Sequence, residues 1–555
     1  MVTAPGQAYD ALMSGQAVVR RHWPFAAVFA AGVALRAAAA IAYRPALVYI
    51  DTPRYLGGDQ GGLDPLGYSY LLLRPLLLAG AGLGGVAVAQ HVLGLAMAAC
   101  LYALAIRHGA GRWLAALAAV PVLLDAYQVE AEQTIMPDVL FESLIVAAMT
   151  VLLWPRRQVA AGTAGAISPA GAAARRTARA DLRRLAAGAA LLGLAATVRQ
   201  AGELLVLPLL AFALVAPAYW RASRPGGRER EREWERARAR AVRVVAALAV
   251  FALPVVGYMA LSSAVLGTGF RLSNMDDAYL YGRLARAADC ATLRLPAGDR
   301  PLCPAPATAA ALGADGLATN PSSPVFSYRP PPGTSRGTAT KGFDDAVLSQ
   351  QPLRVAAGVA GDAIKVFALT RDTATGDPPV ARWQFQTSYP VYRAADRAVL
   401  ASAMPRVTAP LAAVLRAYQL HGGFTPGPLL LAFLLLGTAG CLAHRRQPAL
   451  AAGCLLATGL AIAAVGGADL YEFSWRYQLP ALVTLPLAGA LGATAFLRLA
   501  VTHRSGGGST MVRCETRPSQ RSRPSQAASS TATTGSGSER TTSSAPTGPG
   551  APTPS

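Results

Sequence analysis

Ten apolar runs separated by arginine-rich gaps constrain this chain more than any other feature. They fall at about 25–43, 83–106, 113–130, 138–154, 185–198, 203–220, 244–266, 427–443, 448–465 and 479–500. A helix of about 20 apolar residues spans the hydrocarbon of a bilayer. In lipid every backbone N–H and C=O must be satisfied within the segment, so each run is predicted to be helical. The 555-residue chain is 53% hydrophobic and only 15% charged, whereas a soluble domain carries about 25% charged residues. A soluble fold is thereby excluded. The expected class is an all-α polytopic membrane protein with about ten transmembrane helices. The run at 185–198 is short, and the apolar stretch 66–80 reads as re-entrant or interfacial, so either alters the count.

The gaps set the orientation. Arg20 and Arg21 precede the first run, and Arg107–Arg112, 155–184, 221–243 and His444–Arg446 supply basic gaps on the same side. The stretch 221–243 alone holds nine Arg against four Glu. Cytoplasmic loops carry such an excess of Lys and Arg. Ten spans with both termini cytoplasmic place every basic gap inside, and the plasma membrane is the expected location. The same placement accounts for the formal net charge of +21 without nucleic acid, which is not expected as a partner. The resulting organisation is a cytoplasmic N-terminus (1–24), an N-terminal transmembrane module of about seven spans (25–266), an extracytoplasmic loop domain (267–426), a C-terminal module of about three spans (427–500) and a disordered cytoplasmic tail (501–555). The tail is rich in Ser, Thr, Gly and Pro and cannot bury a core. The loop domain is too long for a simple connection, and its stretch 394–420 is amphipathic enough to lie on the membrane surface. An oxidising outer compartment would allow Cys290 and Cys303, which share this segment, to pair. The run 228–240 alternates Arg and Glu at helical spacing and reads as a solvated helix.

Ionisable residues at membrane depth cost about 2.5–3.5 kcal/mol each on insertion scales, so each needs a reason. Asp51 follows the first span, in the first outer loop (44–82), where it suits either an ordinary loop carboxylate or a base for a hydroxyl. Glu130, Glu132, Asp138 and Glu142 crowd a predicted outer hairpin, which suits either a solvated acidic turn or a site for Mg²⁺ or Mn²⁺ at Asp138 and Glu132. Arg199 and Arg476 sit at predicted outer span ends, where the positive-inside rule does not explain them. A guanidinium fork there matches phosphate oxygens, or snorkels to headgroups.

In order along the chain, these residues resemble the GT-C superfamily of polytopic glycosyltransferases, in the group with protein O-mannosyltransferases and aminoarabinose transferases. The resemblance is carried by Asp51 with Tyr55 and Leu56, by Pro65-Leu66-Gly67-Tyr68 leading into a leucine run, by Asp138 before Leu140-Phe141, by Arg199 before a Leu-Pro run ending at Pro208, and by Arg476-Tyr477 before Pro480. It departs where Thr52 follows Asp51 in place of a second acid, and where Asp138 stands in place of Glu. The resemblance implies an inverting transferase that takes a sugar from a polyprenyl-phosphate donor at the outer face and passes it to a cell-envelope glycan, lipid or protein acceptor. Asp51 would be the general base, and Arg199 and Arg476 would hold the leaving phosphate. Two other classes stay open. A transporter or lipid flippase would be expected to show repeats and midplane charges, and no repeat is evident. A non-catalytic scaffold would leave Asp51 and the arginines apart.

Overall fold

The computed structural model describes residues 20–49, 51–57, 64–154, 170–220, 229–267, 269–274, 276–388 and 406–506. The helix α1 runs Trp23–Ala42, α2 Gly82–Arg107, α3 Arg112–Leu124, α4 Ala126–Gln133, α5 Asp138–Leu153, α6 Ala170–Val198, α7 Val206–Trp220 and α8 Glu229–Leu266. The loop region contributes α9 (Asp276–Ala287), α10 (Pro306–Thr319), α11 (Arg336–Gln350), α12 (Pro352–Ala363) and α13 (Ala409–Leu420). The chain then returns through α14 (Gly427–Cys441), α15 (Pro448–Asp469) and α16 (Pro480–Gly506). A second unit covers His503–Ser555, and only its residues up to 506 are described. The expected tail therefore lies almost wholly outside the described residues, as do residues 1–19, 394–405 and the side chains of 229–236.

All ten apolar runs are helical, yet among the described residues six helices are long and apolar enough to cross a membrane: Trp23–Ala42, Gly82–Arg107, Ala237–Leu266, Gly427–Arg445, Pro448–Asp469 and Trp475–Ala500. A seventh span results if α3 and α4 count as one, bent by 49°. The bend arises because Asp125 ends α3 and caps α4, its Oδ1 accepting from Tyr127 N at 3.0 Å. Of the other runs, 138–154 forms the 16-residue α5, 185–198 is the apolar end of the 29-residue α6, and 203–220 forms a 3₁₀ turn followed by the 15-residue α7. The stretch 66–80 becomes a short apolar helix, Ser69–Leu78, with Tyr70 and Leu78 exposed and Leu66, Tyr68 and Leu73 buried. These helices and the composition make the chain a multi-pass membrane protein.

Charge inside the bundle is spent on a brace. Arg36, at mid-length in α1, gives Nε and Nη2 to Glu132 Oε2 and Oε1 at 2.7 and 2.6 Å. Its remaining N–H groups reach the carbonyls of Val122 and Leu123, where α3 ends. His91 of α2 closes on Glu132 at 3.0 Å and on Gln133 at 2.7 Å. The acidic stretch is therefore not a solvated turn: Glu130, Glu132, Asp138 and Glu142 are all buried. Gly94 makes room for this contact, since a Cβ there would lie 2.1 Å from Glu132 Oε1.

The loop region has a small core of its own around Tyr281, Leu284, Leu317 and Phe343, and Cys290 is bonded to Cys303. A second apolar cluster joins Val366 and Trp383 to Tyr127, Phe433 and Trp475 at the end of the bundle. The two-residue strands β1 (Tyr43–Arg44) and β2 (Arg406–Val407) pair antiparallel and tie the end of α1 to the start of α13. Helix α13, within the stretch expected on the membrane surface, packs against α1 and α4.

Candidate active site

Four local devices bring distant side chains to one end of the bundle. The first loop leaves α1 and runs beside residues 133–135: Leu47 N donates to Gln133 O at 2.9 Å, and Ile135 N to Leu47 O at 3.1 Å. Thr52 holds the turn that follows, its hydroxyl donating to Ile135 O at 3.1 Å and accepting from Tyr49 N at 2.8 Å. Thr52, which follows Asp51 where the sequence resemblance leads one to expect a second acid, is thus a buried structural hydroxyl. This fixes Asp51 beside the start of α5. Pro137 opens that helix, so Asp138 stands in its first turn, where the helix dipole favours a carboxylate. Helix α6 stops at Arg199, which is extended (φ −143°, ψ 134°) before a 3₁₀ turn. Gly67 allows the first loop to close on that point, because a Cβ there would meet Thr197 O at 2.4 Å. Finally, a 3₁₀ turn over Trp475–Gln478 presents Arg476, pinned by Trp475 Nε1 donating to Asp372 O at 3.0 Å.

The result is an alternating row of charges. Arg54 Nη2 donates to Asp51 Oδ1 at 2.6 Å, and its Nε faces Asp64 at 2.8 Å. Arg476 Nη1 donates to Asp51 Oδ2 at 3.3 Å, and its Nε lies 3.6 Å from Asp138 Oδ1. Arg199 Nη1 also donates to Asp138 Oδ1. Both guanidinium groups face Tyr477, at 4.4 Å for Arg199 and 4.8 Å for Arg476. Three arginines thus match three aspartates. Beside this row is a small cavity, with room for about one water molecule. It is lined by Glu130, Thr134, Met136, Asp138, Trp383 and Arg476 among others. The loop region roofs it: Trp383 lies 4.4 Å from Tyr49 and 4.7 Å from the Arg476 guanidinium.

The structure therefore brings together Asp51, Asp138, Arg199 and Arg476, and leaves Glu132 out. The latter is saturated by Arg36 and His91 in the brace. Asp138 already faces two arginines. Among the described residues no group of three or more His, Cys, Asp or Glu side chains is placed to hold a metal ion. The pairing of Asp138 and Glu132 around Mg²⁺ or Mn²⁺ does not fit these partners. Sequence reasoning had Tyr477 beside Arg476 and Glu130 near Asp138, but it did not place Arg54, Asp64 or Trp383 at the row. It also missed Arg36, although an arginine in the middle of an apolar run was itself a signal.

Two carboxyl groups outside the spans are shifted, one at this end and one in the loop region. Burial, then the facing Asp315 carboxylate, pushes Glu472 up to about 8. Its Oε1 accepts from Tyr477 OH at 2.7 Å, and that hydroxyl accepts from Arg476 Nη2 at 3.1 Å. In the loop region, burial followed by Asp277 pushes Asp344 up to about 8.

No family model and no curated protein matches this sequence. Among solved structures, the chain is similar to the archaeal oligosaccharyltransferase AglB from Archaeoglobus fulgidus in complex with an inhibitory peptide and a dolichol-phosphate, at 12% identity and a TM-score of 0.37, over 90% of this chain and 53% of that one. It thus spans about half the length of AglB. It is also similar to ArnT from Cupriavidus metallidurans, in the apo state over 88% of this chain and 78% of that one, and bound to undecaprenyl phosphate over 89% and 80%. Both ArnT comparisons give 15% identity and a TM-score of 0.30. Superpositions this loose leave the functional reading to the chain's own residues.

Proposed function

We propose that the chain is a membrane glycosyltransferase that moves a sugar from a polyprenyl-phosphate donor to an acceptor at the outer face of the plasma membrane, with inversion. The observation that carries this reading is the row Asp51–Arg476–Asp138–Arg199, assembled from four remote segments at one end of the bundle. A scaffold has no need of such convergence. The proposed topology keeps ten spans, α5, the apolar end of α6 and α7 included, with both termini cytoplasmic and the loop domain outside.

In this reading Asp51 takes the proton of the acceptor hydroxyl as its oxygen attacks the anomeric carbon. The bond from that carbon to the phosphate oxygen breaks, and polyprenyl phosphate leaves with the electron pair. Arg199 and Arg476 neutralise the charge that develops on it, a contribution that is often the largest in such steps. In the resting arrangement Asp51 occupies Arg476. Arrival of the donor phosphate gives Arg476 a competing anion and frees Asp51 to act as a base. Hexosyl and pentosyl donors, and glycan, lipid and protein acceptors, all suit this chemistry.

The test compares the envelope glycans of a strain lacking the gene with the same strain carrying the wild-type or the Asp51→Asn gene. The wild-type gene restores the missing glycan, and the Asp51→Asn variant, inserted at normal levels, does not. Restoration by Asp51→Asn would remove the base assignment, and identical glycans in all strains would remove the transferase reading.

A further inference from the structure

Helices α11 and α12 follow one another in the loop region and expose opposite kinds of surface. On α11, Lys341 and Asp345 point outward and pair at 3.1 Å. On α12 the arrangement is inverted. Of its two charged residues, Asp362 is buried and held by Arg283 at 2.6 Å and by Lys365 at 2.7 Å, and the exposed Arg354 turns back to donate to Ala287 O at 3.1 Å. Its outward face carries Leu353, Ala356, Ala357, Ala360 and Ile364, which recur at helical spacing along one side. Leu353 is 83% exposed, Ile364 63% and the following Leu369 68%. A soluble domain rarely leaves so continuous an apolar stripe in water.

Position decides what covers it. The chain leaves α12 through a 3₁₀ turn, Ile364–Phe367, and Ala368 O then accepts from Gly427 N at 3.2 Å. Gly427 is the first residue of α14, a span whose outward side exposes Leu431 and Leu435. Helix α12 also packs along α15, another span. The stripe is therefore continuous with the lipid-facing surface and lies where a span begins. We propose that α12, with Ile364 and Leu369, is an in-plane helix seated in the membrane leaflet on the loop-domain side, its exposed face covered by acyl chains. Lys365, which lies 4.2 Å from the Phe473 ring, ties this helix to the segment that carries Arg476. Seating α12 thus fixes the roof of the candidate site relative to the lipid surface. The inference holds whether or not the chain transfers sugar.

The test uses the full chain in phosphatidylcholine nanodiscs, with the cysteines outside the disulfide replaced. A fluorophore is attached at Leu353→Cys, at Ile364→Cys and, for reference, at Ser349→Cys on α11. Each labelled position is exposed or on an exposed helix, so little core packing is lost. The expected result is at least twofold stronger quenching by doxyl-labelled lipid at 353 and 364 than at 349, with matching protection from iodide. Iodide quenching equal to that at 349 would overturn the proposal. So would protection from both quenchers with a doubled particle mass, which would assign the face to a second copy of the chain.

Discussion

Arg476 is the residue on which the site turns. It hydrogen-bonds Asp51, faces Asp138, and is walled by Trp383 and Tyr477. A lysine there keeps the charge but lacks the planar fork that spans two partners. Arg476→Lys should therefore insert and fold while transfer falls by about 100-fold, the scale of losing one charge-stabilising donor; turnover within a few-fold of wild type would contradict this. Arg36 answers to a different logic. Removing one member of a buried pair strands the other charge at about 3–5 kcal/mol, whereas replacing both is often neutral. Arg36→Met should accordingly lower thermal stability strongly, and Arg36→Met with Glu132→Leu should recover most of the loss. Equal losses in the single and double variants would show that the brace acts through packing and not charge. None of these pairings was legible beforehand. Arg36 and Glu132 are 96 positions apart, and Asp51 and Arg476 are 425 apart. A sequence shows that charges need partners, not which distant ones they find.

At the scale of elements, helix existence was readable and helix limits were not. The run 83–106 matches α2 almost residue for residue, because hydrophobicity alone sets both. The run 113–130 instead breaks at Asp125, whose side chain prefers to cap a new helix, to accept from Thr425 N at 2.7 Å and to pair with Arg371 at 3.0 Å. The segment 470–474 between α15 and the Arg476 turn carries a pH response. Glu472 faces Asp315 and Tyr279 from the loop region, and Tyr477 and Arg476 from the start of the last span. The folded chain keeps a proton on Glu472 up to about 8, while the unfolded chain releases it near 4.5. Stability contributed here is therefore lost as pH rises between those values and levels off above them. Asp344 acts in the same direction. The melting temperature in detergent should fall from about pH 5 to about pH 8, and Glu472→Gln should flatten part of that decline. A Gln variant that retains the full slope would assign the response elsewhere.

For the whole molecule, the order of weak motifs carried more than any one of them. Asp51, Asp138, Arg199 and Arg476 are spread over 426 positions, yet they close into one row because α1, α5, α6 and the turn before α16 place their ends together. Asp138 and Glu132 do not share a site, because Glu132 finds Arg36 and His91 in space while Asp138 faces Arg199 and Arg476. The loop region supplies the roof through Trp383 and, in the seating proposed for α12, its contact with lipid. The central claim is that this row receives a lipid phosphate. The most direct measurement is binding of farnesyl phosphate to the purified chain, compared with farnesol, in the wild type and in Arg199→Gln and Arg476→Gln. Wild type should bind the phosphate and not the alcohol, and each variant should weaken binding by about tenfold or more, as loss of a charge-assisted contact requires. Equal affinity in all three proteins would contradict the account, as would failure of the folded wild type to distinguish farnesyl phosphate from farnesol.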